Sequence, residues 1–353
     1  GACDSSRRQI DLLMRSYNNK DKEVKNARND KRNWINTQAS KAEAAAQRGD
    51  MRTVYNAVKT LSGVQTRPNL PDLAEEGSEN WEEHFSEILN RPPPAHPLTE
   101  NETAPQVKLD IGNVNSNPFT LAEITGAIKG LKNGKAAGVD NLCAELLKAG
   151  SREMTEWLLH LCNIAWEQET VPQEWKKGII VKLPKKVYLQ DCNNWRGIVL
   201  LSIPEKVYTR MILWRIKKQA DAVLREEQAG FRSGRSCIDQ IFTLRRILEQ
   251  TLEHKKPLII NFIDFEKAFD SLDRASLWKI LAVYGFPAKF IRVISSLYED
   301  SECCVKVEND HTQWFKILTG VKQGCVLSPV LFGLAMDWLM RQTIGVATRG
   351  LKW

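Results

Sequence analysis

The sequence lacks the patterns that would place the protein in a membrane or build it around disulfides or structural zinc. Its 8 cysteines are scattered, and none forms a Cys-x-x-Cys pair or stands near a histidine at zinc-ligand spacing. No apolar run approaches the length of a transmembrane helix, no charged-then-apolar signal opens the chain, and no internal repeat is present. We therefore expect free thiols, a reducing intracellular compartment and no membrane partner.

What the chain does have is an ordinary apolar content and an excess of positive charge. Its 353 residues are 42% hydrophobic, which is enough to fold by burial into one large or two to three small domains. The formal charge of +7 favours a polyanionic partner such as a nucleic acid. Charge alone does not identify that partner, because many basic proteins bind nothing acidic.

The first third of the chain divides into a basic segment and a linker. Residues 1–66 are polar, rich in Ala, Arg and Lys, and favour helix by propensity without a wide apolar stripe. This lead-in is either a solvated helix or a surface that contacts nucleic-acid phosphates. Residues 67–118 hold one short amphipathic helix, Trp81 to Leu89, and then a Pro-rich linker that we expect to be flexible or to wrap over the surface.

After the linker, predicted helices alternate with a predicted hairpin. Thr120 followed by Glu123 is a capping-box pattern and predicts a helix over residues 121–132. Strands over Trp175 to Leu183 and Trp195 to Leu201 would pair as a hairpin that presents basic residues. Further helices are predicted over Cys143 to Lys148, Met154 to Trp166, Glu205 to Ala222, Ile238 to Leu252 and Ala275 to Val283.

A stretch in the second half of the chain combines an apolar run with an acidic residue. The run from Leu258 to Ile263 leads directly into Asp264, as a buried strand would deliver a carboxylate to its exposed end. Hard Mg²⁺ prefers oxygen ligands, so Asp264 is a candidate metal ligand. Asp270 and Asp273 are weaker candidates, because with Ser271 they precede a helix whose N-cap accounts for one of them.

A second stretch, Gly320 to Pro329, is a Gly- and Pro-punctuated turn that carries Gln323 and is followed by a helix-like apolar run from Val330 to Met340. In this order the two stretches resemble motifs A and B of reverse transcriptases, closest to the polymerases of non-LTR (LINE-type) retrotransposons. Residues Lys135 to Asp140 resemble the extra N-terminal motif of non-LTR and group II intron polymerases. Residues Phe231 to Ser236 resemble a segment that lies along the template strand in the family.

The resemblance implies an α/β right-hand polymerase fold, preceded by the mostly helical basic segment. It covers roughly residues 130–330, with 119–250 as fingers and 251–353 as a partial palm that holds motifs A and B and is truncated before motif C. That third motif carries paired aspartates in the family, and no Asp-Asp pair occurs here. With Gly1 first and Trp353 last, both ends look cut, and an upstream endonuclease and a downstream palm and thumb are expected in the intact protein.

The resemblance also implies roles for residues of the two motifs. Asp264 and the backbone carbonyl of Phe265 would bind Mg²⁺, with Mn²⁺ as an alternative. Phe269 stands where the family keeps an aromatic ring that meets a 2′-hydroxyl and so excludes ribonucleotides. Gln323 and Gly324 would line the dNTP pocket and the template, and glycine there lets the backbone approach the ligand closely.

On the predicted hairpin, the resemblance assigns a triphosphate-binding arginine. Arg196 matches that residue, and a bidentate guanidinium suits a phosphate. Many relatives have proline where this chain has Gly197, which leaves the arginine in place. The lysine that would accompany Arg196 stays open among Lys182, Lys185 and Lys186, and Lys182 is our first choice.

The implied function is RNA-templated addition of dNTPs to a DNA 3′-end by two-metal phosphoryl transfer. The partners would be an RNA template, a DNA primer or target and dNTP, and the family is expected in nucleus and cytoplasm. One alternative is a catalytically dead remnant that only binds RNA and DNA. Another is a domesticated, maturase-like host protein, which would need thumb sequence that is not visible here. We expect no polymerase activity from the chain alone, because it carries one family carboxylate.

Overall fold

A computed structural model of the chain describes residues 29–50, 53–54, 57, 60, 78–99, 111–185, 191–308 and 310–344. The chain forms two compact units, residues 1–72 and residues 73–353. In the first unit, residues 29–47 are helical, in agreement with the helical lead-in predicted from composition. Residues 1–28, which hold much of the predicted basic surface, lie outside the described ranges.

The second unit contains most of the described structure. Each predicted helix is present with its ends within a few residues of the predicted ones, whereas the helices over residues 173–176 and 288–296 were not predicted. In chain order the helices are α1 Ser78–Leu89, α2 Leu121–Lys129, α3 Ala144–Ala149, α4 Arg152–Gln168, α5 Gln173–Lys176, α6 Ile203–Val223, α7 Cys237–Glu253, α8 Arg274–Val283, α9 Ala288–Ser296 and α10 Ser328–Ile344. The capping box is confirmed, since Thr120 and Glu123 each accept a hydrogen bond from the backbone of the other. Helix α2 ends at Lys129, and the backbone N–H of its C-cap residue Gly130 donates to the carbonyls of Gly126 and Ile128.

One mixed sheet stands between these helices. Its strands are β1 Lys177–Pro184, β2 Trp195–Leu201, β3 Glu302–Val307, β4 Asp310–His311 and β5 Phe315–Lys316. The strand order is β2-β1-β3-β4, and β5 also pairs with β3. Strands β1 and β2 are antiparallel with Val181 opposite Ile198, which confirms the predicted hairpin. Strand β3 runs parallel to β1, so four helices cross over between them.

The core lies among the helices that pack beside this sheet. Trp166, Tyr208 and Phe290 are all 0% exposed. The Trp166 ring meets the rings of Phe119 and Phe290 at centroid distances of 5.0 Å, edge to face, as buried aromatic rings prefer. The described residues thus form a mixed α/β fold, as the sequence predicts. The assignment of 119–250 to fingers and 251–353 to palm stays a prediction.

The end of the predicted linker is anchored in this core instead of being loose. The buried guanidinium of Arg215 donates to the carbonyl of Pro118 at 3.1 Å and pairs with Glu123 at 2.7 Å. Upstream, the backbone N–H of Ile111 donates to Tyr284 at 3.1 Å. These contacts satisfy backbone groups that an extended segment would otherwise leave unpaired on burial.

The predicted strand from Leu258 to Ile263 is wrong. These residues have no strand pairing, and Ile259 and Phe262 are 88% and 82% exposed. An apolar run becomes a buried strand only when another strand pairs with it, and none of the described strands does so. Asp264 therefore lies on an exposed, irregular segment and not at the end of a buried strand.

Within the described ranges, no helix is both long enough and apolar enough to cross a membrane.

Candidate functional site

A cleft of about 580 Å³ opens where the β1–β2 hairpin, residues 265–270 and the turn over 320–329 meet. Its walls include Lys185, Arg196, Phe265, Phe269, Gln323 and Gly324. Three segments that are far apart in sequence are therefore brought to one cavity. Its size is that of a small-molecule site.

The hairpin contributes cations to the cleft, and the strand register decides which ones. Arg196 is exposed and pairs with Leu183 across the strands, whereas Lys182 pairs with Gly197. Successive strand residues point to opposite faces, so Lys182 and Arg196 cannot share one face of the hairpin. The Lys182 ammonium instead lies 4.2 Å from the centroid of the Trp81 ring, and Lys182 is not among the cleft residues.

Of the remaining lysine candidates, Lys185 lines the cleft, and Lys186 lies outside the described residues. The Lys185 ammonium also donates to the backbone carbonyl of Asn193 at 3.4 Å. The departure from proline at Gly197 has a structural reason: a Cβ there would lie 2.7 Å from the Phe85 ring and 2.9 Å from Ile180. Glycine allows α1 to pack closely against β2.

Phe269 lies partly in the cleft wall and partly in the core. Its ring stacks on Phe332 at 4.6 Å with an interplanar angle of 17°, and it meets the edge of Phe231 at 5.7 Å. The backbone carbonyl of Phe269 accepts a hydrogen bond from Val321 at 2.8 Å. The ring is thus held from two sides by aromatic packing, and its contact with a sugar stays a prediction.

At two glycines, the turn over 320–329 approaches neighbouring backbone so closely that a side chain would not fit. Gly324 has φ +132°, and a Cβ on it would lie 2.4 Å from the carbonyl oxygen of Val199. Gly320 has φ +75°, and a Cβ there would lie 2.6 Å from the carbonyl oxygen of Asp270. The carbonyl of Gln323 accepts a 2.8 Å hydrogen bond from Val199, which joins the turn to β2. Both glycines are therefore required by geometry.

A partly buried arginine supports this turn from behind. Arg274, the first residue of α8, donates to the carbonyls of Tyr298 at 2.9 Å, Ile317 at 2.8 Å, Thr319 at 3.2 Å and Gly320 at 3.0 Å. Burial lowers the pKa of the Arg274 guanidinium to about 10. Its five donors hold the chain that enters the turn.

The side chains of Asp270 and Gln323 meet inside the cleft. The amide nitrogen Nε2 of Gln323 lies 2.8 Å from each carboxylate oxygen of Asp270. Burial raises the pKa of Asp270, while the hydrogen bond from Gln323 and the charges of Lys185 and Lys267 oppose that rise. The helix N-cap is the other aspartate, because Asp273 accepts a 2.7 Å hydrogen bond from the backbone of α8.

A buried ion pair lies beneath the turn. The Lys322 ammonium is 4.0 Å from Oε1 of Glu205 and donates to the carbonyl of Trp175 at 3.2 Å. Neither carboxylate oxygen of Glu205 has a hydrogen-bond partner in the part of the chain that the structure describes. Burial raises the pKa of Glu205 to about 7, and the charge of Lys322 opposes the rise.

The donors for a divalent metal are incomplete. Asp264 is exposed and is not among the cleft residues, although the neighbouring Phe265 is. Across the described ranges, no group of three or more His, Cys, Asp or Glu side chains converges as a metal site would require. A two-ion centre needs several carboxylates, so these residues alone do not form one.

Comparison with known proteins identifies the family. A model described as "Reverse transcriptase (RNA-dependent DNA polymerase)" matches residues 183–349. The probable RNA-directed DNA polymerase from transposon BS of Drosophila melanogaster is 30% identical over 240 residues, 67% of this chain and 26% of that protein. The chain belongs to the reverse transcriptase family. Enzymes of this family generally use a divalent metal ion, and they copy an RNA template by extending a DNA primer.

Other relatives of this reverse transcriptase domain also come from mobile elements. The Transposon TX1 uncharacterized 149 kDa protein of Xenopus laevis is 29% identical over 220 residues, 62% of this chain and 17% of that protein. The RNA-directed DNA polymerase from mobile element jockey of Drosophila melanogaster is 26% identical over 287 residues, 80% of this chain and 31% of that protein. The chain thus spans less than a third of the length of these relatives, which are larger proteins.

Among solved structures, truncated apo telomerase from Candida tropicalis matches with a TM-score of 0.32 and 18% identity, covering 55% of this chain and 46% of that one. A TM-score this low adds nothing to the family assignment.

Sequence reasoning missed the residues that hold the turn and Gln323 in place beside the cleft. Arg274 and Lys322 look like ordinary surface cations in the sequence, yet Lys322 is buried and Arg274 is partly buried. The sequence indicates Asp270 only as a cap or a weak metal ligand, whereas in the structure it contacts Gln323, which is 53 positions away. No rule based on the spacing of residues along the chain predicts a contact between residues so far apart. The one available signal was that two aspartates precede α8 while a helix needs only one N-cap.

Proposed function

We propose that this domain carries the nucleotide site of an RNA-directed DNA polymerase that extends a DNA 3′-end on an RNA template. The observation that supports it most directly is the single cleft shared by Arg196, Phe269 and Gln323. The motif resemblance by itself implies a nucleotide contact for each of these residues. These three residues come from distant segments, and they line one cavity whose volume is in the range of small-molecule sites.

The roles follow from the chemistry of the cleft wall. Arg196 grips the triphosphate by paired N–H donors, and Lys185 supplies a point charge beside it. Phe269 presents its ring edge to the sugar and excludes a 2′-hydroxyl. Gln323 and Gly324 shape the part of the wall that lies against β2 of the hairpin. Of the lysine candidates, Lys185 replaces Lys182 in this proposal, because Lys182 stacks on Trp81.

Asp264 is proposed as one ligand of Mg²⁺, with Mn²⁺ as an alternative and with the carbonyl of Phe265 beside it. An exposed carboxylate next to a residue of the cleft wall suits that role, and hard cations prefer oxygen donors. The described residues do not complete a metal centre. Further carboxylates would come from the longer protein that the relatives represent.

Nucleotide binding by the chain tests the first part of this proposal. Titration with dGTP should show saturable binding, and Arg196→Ala should weaken it about tenfold or more, since a charged hydrogen-bond pair contributes about 1.5–3 kcal/mol. Arg245→Ala is the matched control, because Arg245 is an exposed arginine paired with Glu249 on α7, away from the cleft. Equal affinities for the two variants would refute the assignment of Arg196.

Extension of oligo-dT on poly-rA tests the reaction itself. In the longer protein, Asp264→Asn should abolish extension while leaving folding and nucleic-acid binding nearly intact, because the amide keeps the shape and removes the charge. Retention of most activity by that variant would leave Asp264 as a surface residue.

A second candidate for the chain by itself is RNA and DNA binding without catalysis. The exposed segment around Asp264 and the incomplete metal donors favour it. The chain should then bind RNA–DNA duplex weakly, with an affinity that falls steeply as salt rises because counterions are released. Robust extension by the chain alone would exclude this candidate, and salt-independent binding would contradict the basic contact surface.

A further inference from the structure

We infer that Asp270 is a positioning residue that fixes the side-chain amide of Gln323 in one orientation, with its nitrogen toward Asp270 and its oxygen left for the ligand. The inference rests on the proposed nucleotide site and adds to it the kind of group that Gln323 recognises. That group must be a hydrogen-bond donor.

The side-chain amide of Gln323 is placed symmetrically against the carboxylate of Asp270. Nε2 of Gln323 lies 2.8 Å from both Oδ1 and Oδ2 of Asp270, so the amide nitrogen faces the middle of the carboxylate. An ionised carboxylate only accepts hydrogen bonds, whereas an amide has a donor end and an acceptor end. Reversing the amide would place its oxygen against two acceptor oxygens and lose a charge-assisted hydrogen bond. Asp270 therefore selects between two orientations that are otherwise nearly equal in shape.

The backbone around the pair leaves little freedom to relax. The carbonyl of Asp270 accepts a 3.0 Å hydrogen bond from the Thr319 hydroxyl. Gly320 lies against that same carbonyl, because a Cβ on it would come within 2.6 Å. On the other side, the carbonyl of Gln323 is held by Val199 at 2.8 Å. Both partners are thus anchored through their backbones, and the amide can respond to a changed partner only by turning over.

The opposite end of the amide is the part that a ligand can use. Oε1 of Gln323 accepts no hydrogen bond from any described residue, and Gln323 belongs to the cleft wall. An acceptor in that position favours ligands that present a hydroxyl or an amino group. The same position would favour an acceptor-bearing ligand if the amide were reversed. Asp270 thus acts on the ligand through Gln323 without a direct contact being required.

A ligand-free measurement tests the orientation directly. In protein labelled with nitrogen-15 at glutamine, the side-chain amide signals of Gln323 are assigned by their loss in Gln323→Met. These signals should shift as Asp270 takes up a proton, at a pH above the ordinary aspartate range. Burial raises the pKa of Asp270, and the nearby cations Lys185, Lys267 and Arg91 only partly oppose that rise. In Asp270→Asn the signals should move and lose this pH dependence.

Asp273→Asn is the matched control, because Asp273 caps α8 and asparagine is an equally good N-cap. This variant should keep both the signal positions and the titration. Gln323 signals that do not titrate in the parent protein, or that are unchanged in Asp270→Asn, would overturn the inference. Melting temperatures of the variants show whether each one is folded.

Nucleotide analogues test the consequence for recognition. The probes are dGTP, 2′,3′-dideoxyGTP and dITP, because each analogue lacks one donor of dGTP. The parent protein should bind one of the two analogues about fivefold more weakly, as expected for one lost hydrogen bond. Asp270→Asn should reduce that ratio to near one while Asp273→Asn preserves it. If Asp270→Asn keeps the ratio of the affinities for dGTP and the weaker analogue, the inference is overturned. If no nucleotide binds, the proposed nucleotide site is refuted, and the orientation of the amide is then decided by the Gln323 amide signals.

Discussion

Replacement of Arg274 by lysine tests whether the turn beside the cleft is held from behind. Lysine keeps the positive charge, but its ammonium on a flexible stem cannot reach four carbonyls that surround a planar guanidinium. We expect Arg274→Lys to leave at least two of these carbonyls unpaired. Three of them belong to the buried residues Tyr298, Ile317 and Gly320.

The expected cost follows from that count. An unpaired buried acceptor costs about 1–3 kcal/mol, so two of them should lower the free energy of unfolding by about 2–6 kcal/mol. That is a large part of the total stability of a typical domain, which is about 5–15 kcal/mol. Urea unfolding followed by tryptophan fluorescence measures it, with the dGTP affinity as a second measurement because the turn also carries Gln323.

Arg292→Lys is the matched control for this prediction. Arg292 is an arginine on α9 whose side chain is 58% exposed and pairs with Glu169, so the change should cost under about 1 kcal/mol. A loss of under about 1 kcal/mol in Arg274→Lys, similar to that control, would refute the idea that Arg274 supports the turn.

Three further changes test other parts of the site. In the longer protein, Phe269→Val should lower the preference for dGTP over GTP at least tenfold, about 1.4 kcal/mol of lost discrimination. An unchanged preference with a lower melting temperature would leave the ring as packing only. Gly324→Ala should destabilise the chain by more than about 1 kcal/mol, since its Cβ would lie 2.4 Å from the Val199 carbonyl at φ +132°; an unchanged urea midpoint would contradict the close approach. Between pH 4.5 and about 7, Glu205 keeps its proton in the folded chain and loses it in the unfolded chain. The free energy of unfolding should therefore fall by up to about 3 kcal/mol as the pH rises across that window. Glu205→Gln should abolish this fall. Parallel pH profiles for the two proteins would show that Glu205 does not titrate there.

The sequence by itself determined the parts of this protein that depend on neighbours in the chain. The capping box of Thr120 and Glu123, the hairpin of β1 and β2 and most helices could be predicted, because helix caps and strand alternation are local rules. The motif order also led to the reverse transcriptase family without any structure. Local rules sufficed wherever a segment interacts mainly with itself or with the next element.

Tertiary structure decided which segments are buried and which residues from distant parts of the chain come into contact. Leu258 to Ile263 has the composition of a buried strand, yet it is exposed because no described strand pairs with it. Lys182 and Lys185 are indistinguishable in sequence, and only the register of β1 against β2 turns the first toward Trp81 and leaves the second in the cleft wall. The contact between Asp270 and Gln323 has the same origin, because hydrogen bonds across 53 residues form only after the chain has folded around them.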